Sequence, residues 1–283
     1  MKYIVTGFTL FIIQLAFVVV LQAQTTQQDS LRELARQISI LVEELENQKL
    51  DEVSERRYES KFGLGPAASQ VYFLRKSGPS IAGYGEVVYE NHATENEDGS
   101  PSNKQDKIDY LRHIIYLGYR FNERFIFNAE LEFEHAKTGD GQPGSVSVEF
   151  GYIDAMLQPH VNIRAGMLLV PVGIINEYHE PATYWGALRP ETEAAIIPST
   201  WRANGIGVHG GFGNGFGYRL LVVEGLNASN FSADGIRSGR QNGAKAIAED
   251  FAVTGRFDYT GIPGLNAGVS FYTGNSGQTM TGS

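Results

Sequence analysis

The sequence contains no cysteine among its 283 residues, which excludes disulfide bonds, thiolate metal sites and cysteine nucleophiles. It also lacks any cluster of lysine and arginine, and its formal net charge is −9. Nucleic-acid-binding proteins normally present a basic face, so that class is excluded. Apart from one stretch near the N-terminus, long apolar runs are missing, and mean hydropathy is −0.20. This excludes a helical membrane protein but not a transmembrane β-barrel, in which only alternate residues meet lipid.

Motifs that carry catalysis or bind metal ions are missing too. His113 and Ser147 lie outside any Gly-x-Ser-x-Gly motif, the signature of many serine hydrolases. Glu177, His179 and Glu180 are close in sequence, but their spacing matches no zinc motif, and a proline that would end a helix follows at once. We therefore expect no enzymatic activity, no metal ion and no cofactor.

Residues 1–23 have the pattern of a secretory signal peptide. Lys2 gives a short positive start, Tyr3 to Leu21 is almost entirely apolar, and Ala23 offers a small residue at the cleavage site. The alternative is an uncleaved helical anchor, because the apolar run is about long enough to span a bilayer. Both interpretations predict export.

Residues 28–54 predict a helix that forms a short coiled coil. Apolar residues recur there at steps of 3, 4, 3 and 4, the spacing of a coiled-coil seam. These residues, which we expect to mediate oligomerisation, are Leu31, Leu34, Ile38, Leu41 and Leu45. The alternative is one amphipathic helix lying on a domain. Residues 55–80 lose the periodicity and are interrupted by glycine and proline, which predicts a linker.

From residue 81 onward the apolar residues alternate with polar ones. Between Phe125 and His135, for example, Phe127 and Leu131 lie on one face of a predicted strand and Glu130 on the other. Such alternation is typical of strands with one apolar and one polar face. Nine strands follow from this pattern, at 81–90, 109–121, 124–135, 146–157, 161–171, 204–212, 216–224, 250–259 and 265–273.

The connections between these strands alternate between short turns and long polar loops. This is the arrangement of up-and-down outer-membrane barrels, whereas a sandwich with Greek-key links has no reason to sort its loops. We therefore predict that residues 81–283 belong to an all-β, antiparallel transmembrane barrel. Single-chain bacterial barrels have an even strand count, and a water-filled one needs about 16 to 18 strands. Nine strands would then be about half of the barrel.

The polar face of the predicted barrel would line its lumen. Acidic and basic residues alternate there, which would set a field across the lumen, although a merely solvated sheet face looks the same. The predicted pore-lining residues are Arg112, Arg120, Glu130, Glu132, Glu134, Arg164, Arg219 and Arg256.

The segment from Ile163 to Gly210 carries a resemblance to a known family. It runs Ile-Arg-Ala-Gly-Met-Leu-Leu-Val-Pro-Val-Gly-Ile-Ile-Asn-Glu-Tyr-His-Glu-Pro, then Arg189-Pro190-Glu191, then Ile-Ile-Pro-Ser-Thr-Trp-Arg from Ile196, then Gly205-Ile206-Gly207. This resembles the phosphate-selective porin O and P family of Gram-negative outer membranes. The resemblance covers about residues 81 to 273. It implies a homotrimeric channel of 16 or 18 strands whose third loop folds into the pore.

On this resemblance the loop from Val172 to Ala203 would narrow the channel, with Trp185 and Trp201 anchoring it. Its constriction residues would be Glu177, His179, Glu180, Arg189, Glu191, Trp201 and Arg202. Family members that select phosphate use basic pore residues, whereas three glutamates share one strand here. The sequence therefore predicts weak cation preference or little selectivity.

Three functions follow as hypotheses. The first is an outer-membrane porin, embedded in lipid, that passes small hydrophilic solutes or inorganic ions by diffusion. The second is a non-conducting outer-membrane barrel that acts as a binding or docking protein. The third is an exported soluble β-sandwich that binds carbohydrate.

Overall fold

A computed structural model describes residues 58–279 except Arg75 and Asp234, together with seven residues between 32 and 43. Those seven are Arg32, Glu33, Arg36, Gln37, Ser39, Ile40 and Glu43, and all are helical and exposed. The predicted signal peptide (1–23) and the predicted oligomerisation residues lie outside the described residues. No helix in the described part of the chain has both the length and the apolar character needed to span a bilayer.

Residues 58–279 are organised around one antiparallel sheet of nine strands in sequential order. The strands are β1 (Gly78–Glu90), β2 (Lys107–Arg120), β3 (Phe125–Glu134), β4 (Ser145–Gln158), β5 (Val161–Leu169), β6 (Arg202–Phe212), β7 (Phe216–Glu224), β8 (Phe251–Tyr259) and β9 (Ala267–Gly274). Short helical turns lie at Gln70–Phe73, Pro181–Thr183, Thr192–Ile196, Ala228–Asn230 and Arg237–Gly239. Each predicted strand is present, with ends shifted by at most three residues.

The register between β2 and β3 follows from the short turn that joins them. The Phe121 amide donates to the Phe125 carbonyl at 2.9 Å, which closes the turn. Arg112 then pairs with Glu134 and Tyr116 with Glu130. The alternation of apolar and polar residues predicts this register, and the structure confirms it. A shift of one residue would move every side chain to the other face.

The two faces of the sheet have the reverse of the burial found in soluble proteins. We call them the apolar face, which is exposed, and the polar face, which is buried. In β3, for example, Asn128 and Glu130 are at most 1% exposed, while Phe125 is 46% exposed. Large exposed side chains of the apolar face include Ile81, Leu117, Phe133, Val146, Ile153, Ile163, Ile206, Leu220, Val222, Val253, Phe257 and Phe271.

Two segments of the chain cover the polar face. One is residues 58–74, here named the inner segment; the other is residues 170–201, here named the third loop. Leu64, Val71 and Tyr72 of the inner segment are at most 5% exposed and belong to one apolar cluster with Phe150 and Val170. The prediction of a linker over residues 55–80 is therefore corrected: residues 61–74 are buried or half-buried, and β1 begins at 78. Aperiodic sequence gave no sign of this, because the segment buries itself through turns rather than a regular element.

A β-bulge in β4 changes which side chains reach the polar face. Glu130 pairs with Phe150 and Leu131 with Val148, so Glu149 has no partner of its own in β3. Glu149 and Phe150 are consequently both buried, although they are neighbours in sequence. Bulges of this kind re-aim side chains, and this one adds a carboxylate to the polar face.

Candidate functional site

All eight predicted pore-lining residues lie on the polar face, but most of them are covered and paired. Glu130, Glu132, Arg164, Arg219 and Arg256 are between 0% and 7% exposed. Arg112 is partly buried and lies 2.8 Å from Glu86 and 3.4 Å from Glu132. Arg120 donates to the Leu74 carbonyl of the inner segment at 2.7 Å. Glu134 is exposed and accepts from Ser145.

A buried ion pair joins Asp154 of β4 to Arg164 of β5. Arg164 donates from Nε to Asp154 Oδ1 at 2.7 Å and from a terminal nitrogen to Oδ2 at 2.9 Å, which is bidentate geometry. The Arg164 guanidinium also lies over the Tyr152 ring, 4.2 Å from its centre, and donates to the Tyr72 hydroxyl at 3.0 Å. Tyr72 itself donates to Asp154. The pair thus ties two strands to the inner segment, and sequence analysis identified Arg164 but neither Asp154 nor Tyr72.

A second network joins the third loop to β7 and β8. Glu177 lies 2.8 Å from Arg219, and Arg219 also donates to Asp258. Arg256 donates to Asp258 at 2.6 Å and to the Gly173 carbonyl at 2.8 Å. Two guanidinium groups therefore face two carboxylates, which balances the charge of the network. Burial raises the pKa of Glu177, and the Arg219 guanidinium opposes that rise.

His179 of the third loop faces Glu130 of β3. Its Nε2 lies 3.2 Å from a Glu130 carboxylate oxygen, and its Nδ1 lies 2.9 Å from the Asn176 carbonyl. Both neighbouring oxygens accept hydrogen bonds, so the ring makes both hydrogen bonds when both of its nitrogens carry protons. Burial lowers the pKa of His179, but the Glu130 carboxylate, its hydrogen bond and the Glu149 carboxylate together leave that pKa raised. His179, which was predicted to lie at the constriction, is thus the partner of Glu130, one of the three glutamates of β3.

Glu180 connects the third loop to the inner segment. Its two carboxylate oxygens accept from the backbone amides of Ala67 and Ala68 at 3.0 and 2.9 Å. Burial raises the pKa of Glu180, and these two amides oppose the rise. The spacing of Glu177, His179 and Glu180 therefore serves three different contacts rather than one metal site. Among the described residues, no group of three potential ligands is placed to hold a metal ion.

The base of the third loop is held by Asn176 and Trp201. The Asn176 side-chain amide donates to the carbonyls of Val170 and Trp201 at 2.7 and 2.8 Å, and its oxygen accepts from the Trp201 amide at 2.6 Å. The Trp201 ring packs on Tyr272 with centroids 4.7 Å apart. Trp201 anchors the loop as expected, whereas Trp185 is 93% exposed and does not. Glu191, also predicted at the constriction, is exposed.

Four arginines gather around the end of the third loop, and two of them were not predicted. Arg189 and Arg202 are joined by Arg237 and Arg240 from the loop after β7. Arg237 donates to the carbonyls of Ala194 and Ser199, and Arg240 to that of Pro198. Arg202 donates to the bulge residue Glu149. Burial and neighbouring arginines lower the pKa of Arg240 to about 10. Sequence analysis did not single out Arg237 or Arg240, since nothing local links them to the third loop.

No family model matches the chain. An uncharacterized protein of Aquifex aeolicus (strain VF5) is 43% identical over 228 residues, which are 79% of this chain and 50% of that protein. The chain thus spans half the length of this relative.

Proposed function

We propose that this protein is an outer-membrane porin, a diffusion channel for small hydrophilic solutes or inorganic ions. The observation that carries the proposal is the reversed burial of the sheet, with apolar side chains exposed along nine strands and charged side chains buried. Soluble proteins rarely expose apolar patches beyond a few hundred Å². Lipid around the apolar face removes that conflict, and a polar interior is what a transmembrane barrel has.

In this proposal the nine strands are part of a closed barrel. An open sheet in a membrane would leave the backbone groups of β1 and β9 unpaired in lipid, at several kcal/mol each. Further strands must therefore pair with these two edges. Half of the relative's length lies outside the matched region and has room for them, and about 16 to 18 strands would give a water-filled lumen.

The soluble-sandwich hypothesis fits the burial poorly. A sandwich packs the apolar faces of two sheets against each other. Here the covered face contains Glu130, Asp154, Arg164 and Arg219, while no part of the chain that the structure describes covers the apolar face. Detergent dependence of the isolated protein is the direct test, and a monodisperse protein without detergent would contradict the proposal.

A docking barrel is the second candidate, and the packing of the polar face favours it. The buried apolar cluster joins the inner segment and the third loop to residues of seven strands, β2 to β8. A filled interior suits a binding protein as well as a channel. Single-channel recording in planar bilayers separates the two, because a docking barrel would insert without conducting.

The charge preference of the channel follows from the pairing on the polar face. His179 offsets Glu130, Arg112 offsets Glu132, and Glu177 with Asp258 offsets two arginines. We therefore propose little selectivity between cations and anions. Charges in the lumen act over about 10 Å at 0.1 M salt, so reversal potentials should register any imbalance.

Two glutamates of the third loop provide a matched test of the lumen. Glu177→Gln removes the buried partner of Arg219, and should move the reversal potential in a KCl gradient toward anion preference. Glu191→Gln removes an exposed charge of the same loop and should change it little. Equal shifts from both variants would contradict the placement of Glu177 in the ion path.

Assembly as a homotrimer through residues 31–45 is also proposed. Ile38→Asp should weaken association, measured by light scattering in detergent, while the barrel still folds. An unchanged particle mass would exclude this role for the helix.

A further inference from the structure

The inner segment crosses the polar face from β2 to β7. Val71 lies against Gly118 of β2, and Tyr72 reaches Asp154 of β4. Further along, Phe62 packs edge-on against His209 of β6, with ring centroids 4.8 Å apart. The segment therefore lies across the direction of the strands, where a solute moving along the polar face would have to pass.

Glycines make room for the close contacts of the inner segment. One of them lies in the sheet, and two lie in the segment itself, where it meets the third loop. A Cβ on Gly118 would lie 2.6 Å from Val71 Cγ2. A Cβ on Gly65 would lie 2.3 Å from Glu180 Oε1, and one on Gly63 would lie 2.7 Å from Glu177 Oε1. Contacts this close at three separate points indicate a fitted surface rather than a loosely placed linker.

Polar side chains bind the backbone of the inner segment at four places. Asn128 donates to the Ala68 carbonyl at 2.8 Å, and Arg120 donates to the Leu74 carbonyl at 2.7 Å. Glu180 accepts from Ala67 and Ala68. Buried peptide groups need such partners, and here the sheet and the third loop supply them.

The two covers approach the polar face from opposite ends. Gly78, the first residue of β1, pairs with Arg120, which precedes the short turn at 121–124. The inner segment therefore enters on the side of the short turns. The third loop joins β5 to β6 on the side of the long loops. They meet where Glu180 binds Ala67 and Ala68.

We propose that the inner segment is a plug that closes the lumen on the side of the short turns. This rests on the proposed channel function. Side chains of the sheet and the third loop hold the described part of the plug, whereas a continuous backbone ladder holds the strands. A cavity of about 650 Å³ beside Phe62, Gly63 and Tyr178 gives the segment room to move. Release of the plug would open the lumen without unfolding the barrel.

The glycine under Val71 offers a direct test in the full-length protein. Gly118→Leu places a side chain where Val71 now lies and should displace the plug. Gly151→Leu is the matched control, because the nearest atoms to a Cβ there are Val148 Cγ1 at 3.8 Å and Ala129 Cβ at 3.9 Å, on the apolar face. We expect Gly118→Leu to raise single-channel conductance at least roughly twofold by widening the path, and the control to match wild type.

A disulfide lock keeps the proposal testable if Gly118→Leu folds poorly. The chain has no cysteine, so Val71→Cys with Gly118→Cys creates a single pair. The Cβ positions lie 2.7 Å apart, and disulfides average about 3.8 Å, so a small shift of the segment joins them. In urea too dilute to unfold the barrel, we expect wild-type conductance to rise. The oxidised pair should stay at its starting conductance until reductant is added.

The outcomes separate the plug from the channel. The plug proposal would be overturned if wild type, Gly118→Leu and the oxidised pair had equal conductance under all these conditions. The channel proposal would be unaffected by that result. Absence of current from every variant, including one lacking residues 58–74, would overturn both. A rise confined to Gly118→Leu and to unlocked protein in urea supports the plug.

Discussion

Placing arginine on the apolar face tests whether lipid covers it. Ile153 lies near the middle of β4, faces outward and is 38% exposed. In water, an exposed isoleucine replaced by arginine should change the free energy of unfolding by no more than about 0.5 kcal/mol. At the middle of a bilayer the same change costs about 2–4 kcal/mol in transmembrane barrels. The predicted loss for Ile153→Arg is therefore several times larger in lipid than in water.

Val146→Arg on the same strand is the control. Val146 is also β-branched, faces outward and is 54% exposed. Its partner in β3 is Phe133, six residues from the Phe127 that pairs with Ile153, so the two positions lie about 20 Å apart along the strand. With a strand tilt of about 40°, that is about 16 Å along the bilayer normal, which places Val146 at the interface, where arginine costs about 0–1 kcal/mol.

Unfolding by guanidinium in lipid vesicles, followed by tryptophan fluorescence, measures both losses. Trp201 is 3% exposed and will report loss of the packed interior. We expect Ile153→Arg to lower the free energy of unfolding by at least about 1.5 kcal/mol more than Val146→Arg. Equal losses below about 0.5 kcal/mol at both positions would refute the reasoning, because that is the result for a face in water.

Three further predictions concern the buried polar groups. Asp154→Asn leaves Arg164 buried without its carboxylate and should cost about 3–5 kcal/mol of unfolding free energy, whereas Asp109→Asn, in a half-exposed pair, should cost at most about 1 kcal/mol. The raised pKa of His179 means that its contribution to stability is complete below about pH 6.5 and is lost as pH rises through the raised value; His179→Gln should remove that part of the pH dependence in unfolding titrations. Deleting residues 183–195 should raise single-channel conductance, and no change would place that part of the loop outside the ion path.

The strands and their register could be predicted because their causes are local. A period of two fixes which residues share a face, and a short turn such as that between Phe121 and Phe125 fixes which residues face each other. The structure adds little to the boundaries that alternation gives. Register shifts interrupt this pattern near Glu86, at Glu149 and after Ala155. Neither Glu149 nor its immediate neighbours is a glycine or proline that would mark the bulge.

The covers of the polar face could not be predicted from local pattern. Tyr72 and Asp154 are 82 residues apart, and Glu180 binds amides more than 110 residues away. The inner segment has no periodicity, because its contacts are spread over several strands and the third loop. Arg237 and Arg240 were missed for the same reason: their partners are carbonyls of another loop, and any sequence there would offer carbonyls.

The proposed membrane location would give the reversed faces and the paired charges one physical explanation. Buried ion pairs are costly when water is replaced by apolar surroundings, and exposed apolar strands are costly when they face water. A soluble fold with this sequence would bear both costs at once. With lipid outside, exposure of the apolar face is favourable. The charged residues then face the interior of the barrel, where strand side chains can be polar. The arginines and carboxylates then need each other chiefly because the inner segment and the third loop exclude water from around them. The pairing of Asp154 with Arg164 and of Glu177 with Arg219 is thus a consequence of the covers, and removing a cover should return these charges to water.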